Sequence, residues 1–107
     1  MTRHSTAALA ALLLCASAPA LADDPARGKE KAAMCVACHG EDGNSPSSAF
    51  PRIAGQHEKY LLQALSDYKL GRRKNPIMSA QVEKLSAQDL SDLAAYFASQ
   101  SGLYVKR

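Results

Sequence analysis

Met34-Cys35-Val36-Ala37-Cys38-His39-Gly40 is the stretch that decides how the rest of the chain is read. Two thiols three residues apart, with a histidine directly after the second, form the pattern of covalent haem attachment. On a helical turn, positions i and i+3 share a face. Both sulfurs then reach the two vinyl groups on one side of a porphyrin, and His39 can present a ring nitrogen to the iron. Three rival readings use the same residues. A redox-active dithiol needs a βαβ context, and no convincing strand is visible in this sequence. A zinc site would have to combine Cys35, Cys38, His39 and His57, whose spacings do not match the usual two-pair arrangement. A disulfide between Cys35 and Cys38 is the natural competitor in an oxidising compartment.

Upstream, residues 1–22 read as a leader rather than as part of the fold. Arg3 gives a short positive start, Ala7 to Ala16 is unbroken apolar sequence, and Ala20-Leu21-Ala22 offers small residues for a signal peptidase. The apolar run is too short for a membrane span, which needs roughly 20 residues. Leu14 is too large to precede a lipid-modified Cys15. Cleavage after Ala22 leaves one domain, residues 23–107, with Cys35 and Cys38 as its thiols. A domain of that size has little core of its own, and a covalently held apolar disc would supply one. Losing Arg3 lowers the formal net charge from +3 to +2. That balance does not indicate a nucleic-acid binder.

Downstream of the leader the pattern is helical. Asp24-Pro25 suits an N-cap followed by N1, with a helix running through Gly28 and Met34 into Cys35. Gly28 costs roughly 1 kcal/mol against alanine in a helix interior, so a close approach by another helix is expected there. Residues 40–48 are loop. Phe50-Pro51-Arg52-Ile53 is irregular and covers the ring, with the Pro51 carbonyl as the expected acceptor for the second ring nitrogen of His39. Tyr60, Leu61, Ala64, Leu65 and Tyr68 repeat at helical spacing over 56–70, and Gly71 closes that helix. Pro76 is expected to break any helix, leaving Met78 on or just after a stiff non-helical segment, with a short helical turn over 80–84. Ser86 and Asp89 have capping-box spacing, flanked by Leu85 and Leu90 as a hydrophobic staple. The last helix carries Leu90, Leu93, Ala94 and Phe97 on one face and ends at Gly102. The expected fold class is all-α, with four or five helices.

The sixth iron ligand separates an electron carrier from an enzyme or gas sensor. Met34 adjoins Cys35 and cannot reach the opposite face. His57 begins a helix, where an exposed or capping role suits it better. Met78 lies far enough along the chain to pass round the disc edge, and it is the expected ligand. Arg72-Arg73-Lys74 is the one local basic run. Arg72 or Arg73 can hydrogen-bond a haem propionate, and the others can steer docking onto an acidic partner. The bland alternative is a solvated turn.

These stretches resemble a family. The sequence is similar to the class I c-type cytochromes, of the small soluble bacterial kind, and to one repeat unit of that family's two-haem periplasmic members. The matching segments are GKEKAAMCVACHGEDGNS (28–45), PRIAGQHEKYLLQALSDYKLGRR (51–73), NPIM (75–78) and LSAQDLSDLAAYFAS (85–99). The resemblance implies the cytochrome c fold, with first and last helices crossing and Gly28 lying against Tyr96 or Phe97. It implies one haem c, held by thioethers at Cys35 and Cys38, with His39 as proximal and Met78 as distal ligand. The function expected is a periplasmic one-electron shuttle, monomeric, between a dehydrogenase or cytochrome complex and a terminal oxidase or reductase. A haem enzyme or sensor with a labile sixth ligand, and a cytochrome subunit of a larger oxidoreductase complex, are the alternatives.

Overall fold

The computed structural model describes residues 22–103, together with 1–2, 8 and 10–14. The proposed leader therefore falls largely outside the described residues, including Arg3 and Cys15. Among the described residues there are five α-helices, one 3₁₀ turn and no strand.

Helix α1 spans Pro25–Lys31, with Pro25 at N1 and the Asp24 side chain accepting from the Ala26 N–H at 2.8 Å. It does not continue as an α-helix into Cys35. The chain tightens into a 3₁₀ turn over Ala32–Met34, passes Cys35, and resumes as α2, Val36–His39. Tightening of this kind is common at helix ends, where carbonyls run out of i+4 partners. Gly40, at φ +81°, then turns the chain away.

Helix α3 is Glu58–Lys69, two residues later at its start than the periodicity predicts. His57 occupies its cap position without a side-chain bond. Gly71, at φ +74°, follows it with open space around its Cα. Helix α4 is Pro76–Val82, which corrects the expectation for Pro76. The proline starts a helix rather than breaking one, because its missing N–H is not needed at N1. Asn75 caps that start, accepting from Ile77 N at 3.0 Å and Met78 N at 3.2 Å. Met78 thus sits in the first turn of a helix, and the turn expected over 80–84 begins earlier.

Helix α5, Ala87–Ser99, has both halves of the expected capping box between Ser86 and Asp89. Leu85 and Leu90 flank it and are both buried. The helix ends at Ser99, not at Gly102. Gly102 instead packs beyond the end, where a Cβ would lie 2.6 Å from Ala54 Cβ.

The core is the apolar face of α5 (Leu90, Leu93, Ala94, Phe97) with Leu61, Val82 and Leu85. Helix α1 makes its most extensive packing with α5. The contact is at Gly28, where an added Cβ would meet the Asp92 carbonyl oxygen at 2.0 Å and Tyr96 Cβ at 2.8 Å. Phe97 is turned elsewhere, with its ring against Gly43. Beside this crossing Asp92 is buried, 2% exposed. It accepts from Asp24 N, Arg27 Nε and Gln88 Nε2 at 2.9, 3.0 and 3.0 Å. The Arg27 guanidinium is the main reason its carboxyl is held below the usual range, with the Asp24 N–H and Gln88 assisting.

Candidate haem-binding site

The helices leave an apolar cleft between the Cys35–His39 segment, helix α3 and helix α4. It has two lobes, of about 220 Å³ and 180 Å³. Cys35, His39, Pro51, Tyr68 and Met78 line both lobes, so the two form one continuous site around those residues. Leu61, Leu65, Leu93 and Phe97 wall the larger lobe.

His39 is 8% exposed, and its Nδ1 lies 2.9 Å from the Pro51 carbonyl oxygen. A carbonyl can only accept, so this contact puts the proton on Nδ1 and leaves the Nε2 lone pair available to a metal. Pro51 reaches that position because residues 50–53 run as irregular chain past the end of α2. The backbone of Ile53 and Ala54 is tied to the Gly43 carbonyl at 2.9 and 3.2 Å. The loop after His39 is held in turn by α5, whose Tyr96 hydroxyl donates to the Glu41 carbonyl at 2.8 Å. That phenol is pushed up by burial.

Cys35 and Cys38 are free thiols, not a disulfide. Cys35 lies in both lobes and Cys38 in the smaller one. Burial, with Cys38 as a lesser cause, pushes the Cys35 thiol up. Met78 is half-buried. Met34, by contrast, is 45% exposed and lines only the smaller lobe, while His57 is exposed and lines neither.

The basic run divides. Arg73 lines the larger lobe, its guanidinium carbon 4.9 Å from the Tyr68 ring centroid. The Tyr60 hydroxyl is the chief cause that raises its pKa. Arg72 lines neither lobe, and its backbone N–H bonds the Asp67 carbonyl at 2.8 Å. Arg52, which the sequence reading did not single out, lines the larger lobe with Gln56 and Tyr60. Neither Arg52 nor Arg73 has a carboxylate within ion-pair distance among the described residues. The signal for Arg52 was its place directly after Pro51, in a segment already expected to cover the ring.

The donor set suits a haem. It offers two free thiols at i and i+3, an imidazole with one nitrogen already satisfied, a thioether, apolar walls and two guanidinium groups without carboxylate partners. A helical shell around such a cleft defines a haem protein of the c type. The family's sequence model, described as Cytochrome c, matches residues 25–101, and the chain belongs to the cytochrome c family. Its cofactor is therefore covalently bound haem c, and the single Cys-x-x-Cys-His motif provides for one.

The chain is 56% identical over 79 residues to cytochrome c4 of Pseudomonas aeruginosa, covering 74% of this chain and 39% of that one. It is 41% identical over 69 residues to a protein of Thiomonas intermedia named thiosulfate dehydrogenase electron acceptor, covering 64% of this chain and 32% of that one. The crystal structure of reduced cytochrome c4 from Pseudomonas stutzeri superposes with a TM-score of 0.72 at 48% identity, covering 77% of this chain and 48% of that one. The chain thus spans less than half the length of these relatives.

Proposed function

We propose that this protein is a soluble one-electron carrier, not an enzyme, acting in the periplasm after removal of residues 1–22. Haem c supplies the ferrous–ferric couple. The protein's part is to hold that group, keep water from it and close the iron to other ligands. In this reading Cys35 and Cys38 would hold the haem through thioethers, and His39 Nε2 and the Met78 sulfur would ligate its iron. The Pro51 carbonyl fixes the orientation and basicity of the imidazole. The soft thioether favours ferrous iron and raises the reduction potential. The observation that carries the reading is that His39 and Met78 both line both lobes of one cleft that also contains Cys35.

Arg73 and Arg52, rather than Arg72, receive the propionates. Guanidinium groups on an apolar cavity with no carboxylate of their own are suited to carboxylates arriving with the ring. Arg72 and Lys74 are left to solvent, where they bias encounter with an acidic partner. The partner class is a redox protein, a dehydrogenase or cytochrome complex on one side and an oxidase or reductase on the other. The Thiomonas relative's name supports the donor side of that assignment. Export is supported by the leader pattern of residues 1–22. No helix among the described residues is long and apolar enough to cross a membrane.

Substitution of Met78 tests the reading. The ferric protein is expected to be low-spin, with a near-infrared sulfur-to-iron charge-transfer band that Met78→Ala abolishes. Rapid CO binding by the unsubstituted ferrous protein, with no such band in its ferric form, would sink it in favour of an enzyme or sensor.

A further inference from the structure

Helix α4 is fastened by polar ties more than by apolar burial. Of its seven residues only Val82 is buried, and Ile77 is 61% exposed. Lys69, the last residue of α3, reaches across to the far end of α4. Its Nζ donates to the carbonyl of Glu83 at 3.1 Å and to that of Leu85. Both carbonyls lie just past the helix end, where backbone acceptors lack intrahelical partners and a positive charge is favoured. Midway along α4, Ser79 Oγ donates to the Tyr68 carbonyl at 3.3 Å. Lys69 therefore closes a loop across a separation of 16 residues, and Met78 is carried inside it.

We infer that Lys69 is a strap that holds the Met78 thioether in the cleft. It is a positioning residue, and it sets how often α4 lifts and exposes the sixth coordination position to an outside ligand. The inference rests on the reading that Met78 is the second axial ligand. A segment with few buried contacts opens locally, at much lower free energy than global unfolding. The two bonds of the Lys69 ammonium are made only with the loop closed, so they weigh on that local equilibrium. They are equally absent from the unfolded chain, so global stability feels them by no more than the local equilibrium does. Asn75 acts differently, since its cap stabilises α4 internally and does not join it to α3.

Imidazole titration of the ferric holoprotein tests the strap. Lys69→Met keeps the length of the stem and removes the donors, and Lys69→Arg keeps donors in place. Lys84→Met is the control, because Lys84 is exposed and makes no side-chain hydrogen bond or ion pair among the described residues. Loss of exposed charge-assisted bonds shifts an equilibrium by roughly 3- to 10-fold. Lys69→Met is expected to bind imidazole tighter by that factor and to lose part of the charge-transfer band. Lys69→Arg restores both and Lys84→Met changes neither. Because the bonds are missing from the unfolded chain as well, the folding equilibrium of Lys69→Met, from urea titration by far-UV circular dichroism, falls by no more than the same factor of roughly 3 to 10. Unchanged imidazole affinity in Lys69→Met overturns the strap and leaves axial ligation standing. A fall in the folding equilibrium well beyond the gain in imidazole affinity makes the lysine merely structural and also overturns it. Absence of the band in the unsubstituted protein overturns the ligation reading, and the strap falls with it.

Discussion

Gly28→Ala is the sharpest single perturbation of the fold that carries the haem site. The new methyl would lie 2.0 Å from the Asp92 carbonyl oxygen, 2.6 Å from its carbon and 2.8 Å from Tyr96 Cβ. Two of these are backbone atoms of α5, so no side chain can rotate away. Real Cβ atoms essentially never approach closer than 3.0 Å, and α1 must retreat by about 1 Å. Two terms oppose each other. Alanine is better than glycine inside a helix by about 1 kcal/mol. Overpacking against rigid backbone costs about 2–3 kcal/mol. Retreat also breaks the Asp24 N–H bond to Asp92, now 2.9 Å, worth about 1 kcal/mol. The net loss is about 2–3 kcal/mol, or roughly 10–20 °C in Tm for a domain of this size. Because α1 is joined to Cys35 and His39 through the short 3₁₀ turn Ala32–Met34, the yield of haem-loaded protein should fall too. Urea titration of the ferric holoprotein, followed by far-UV circular dichroism, measures the effect. Gly71→Ala is the comparison. It meets nothing within 4 Å but sits at φ +74°, so it should cost only about 1–2 kcal/mol of left-handed strain. A Gly28→Ala protein as stable as the parent, or more so, would refute the close-contact argument and leave helix propensity as the deciding term.

Three further outcomes are expected. Asp92 has a depressed carboxyl pKa, first because of Arg27. Its stabilisation is therefore complete above the unfolded value near 3.9 and is lost as pH falls through the lower folded value. Asp92→Asn should be less stable than the parent at pH 7 by about 1–3 kcal/mol, and the gap should narrow in acid when urea midpoints are compared from pH 7 to pH 2. Tyr96→Phe leaves the Glu41 carbonyl without the phenol that bonds it at 2.8 Å. It should cost about 1 kcal/mol, and hydrogen exchange should quicken in the loop after His39. Replacing Arg73 or Arg52 by glutamine removes positive charge from the larger lobe and should lower the reduction potential measured by redox titration. Arg72→Gln should leave it nearly unchanged, and an equal effect of all three would refute their separation.

Local sequence settled the parts of this protein whose causes are local. The Cys35–His39 spacing is covalent chemistry. The Asp24-Pro25 start, the Ser86/Asp89 capping box and the apolar face of α5 depend on residues a few positions apart, so they were legible in the sequence. Pro76 starts α4 for an equally local reason: the Asn75 side chain caps a helix whose first residue is proline. What the sequence could not assign were partners distant along the chain. The Asp24–Asp92 bond spans a separation of 68 residues, and Tyr96–Glu41 spans 55. A glycine inside a helix marks Gly28 as a contact point, but only the fold chooses Asp92 and Tyr96 over Phe97. Likewise Arg52 and Arg73, far apart in sequence, share a cavity wall while Arg72 does not. Side-chain chemistry and short spacing determine what the haem motif can bind. Only tertiary packing decides which distant carbonyls and guanidinium groups surround it, because those contacts exist only once α3, α4 and α5 have closed the cleft.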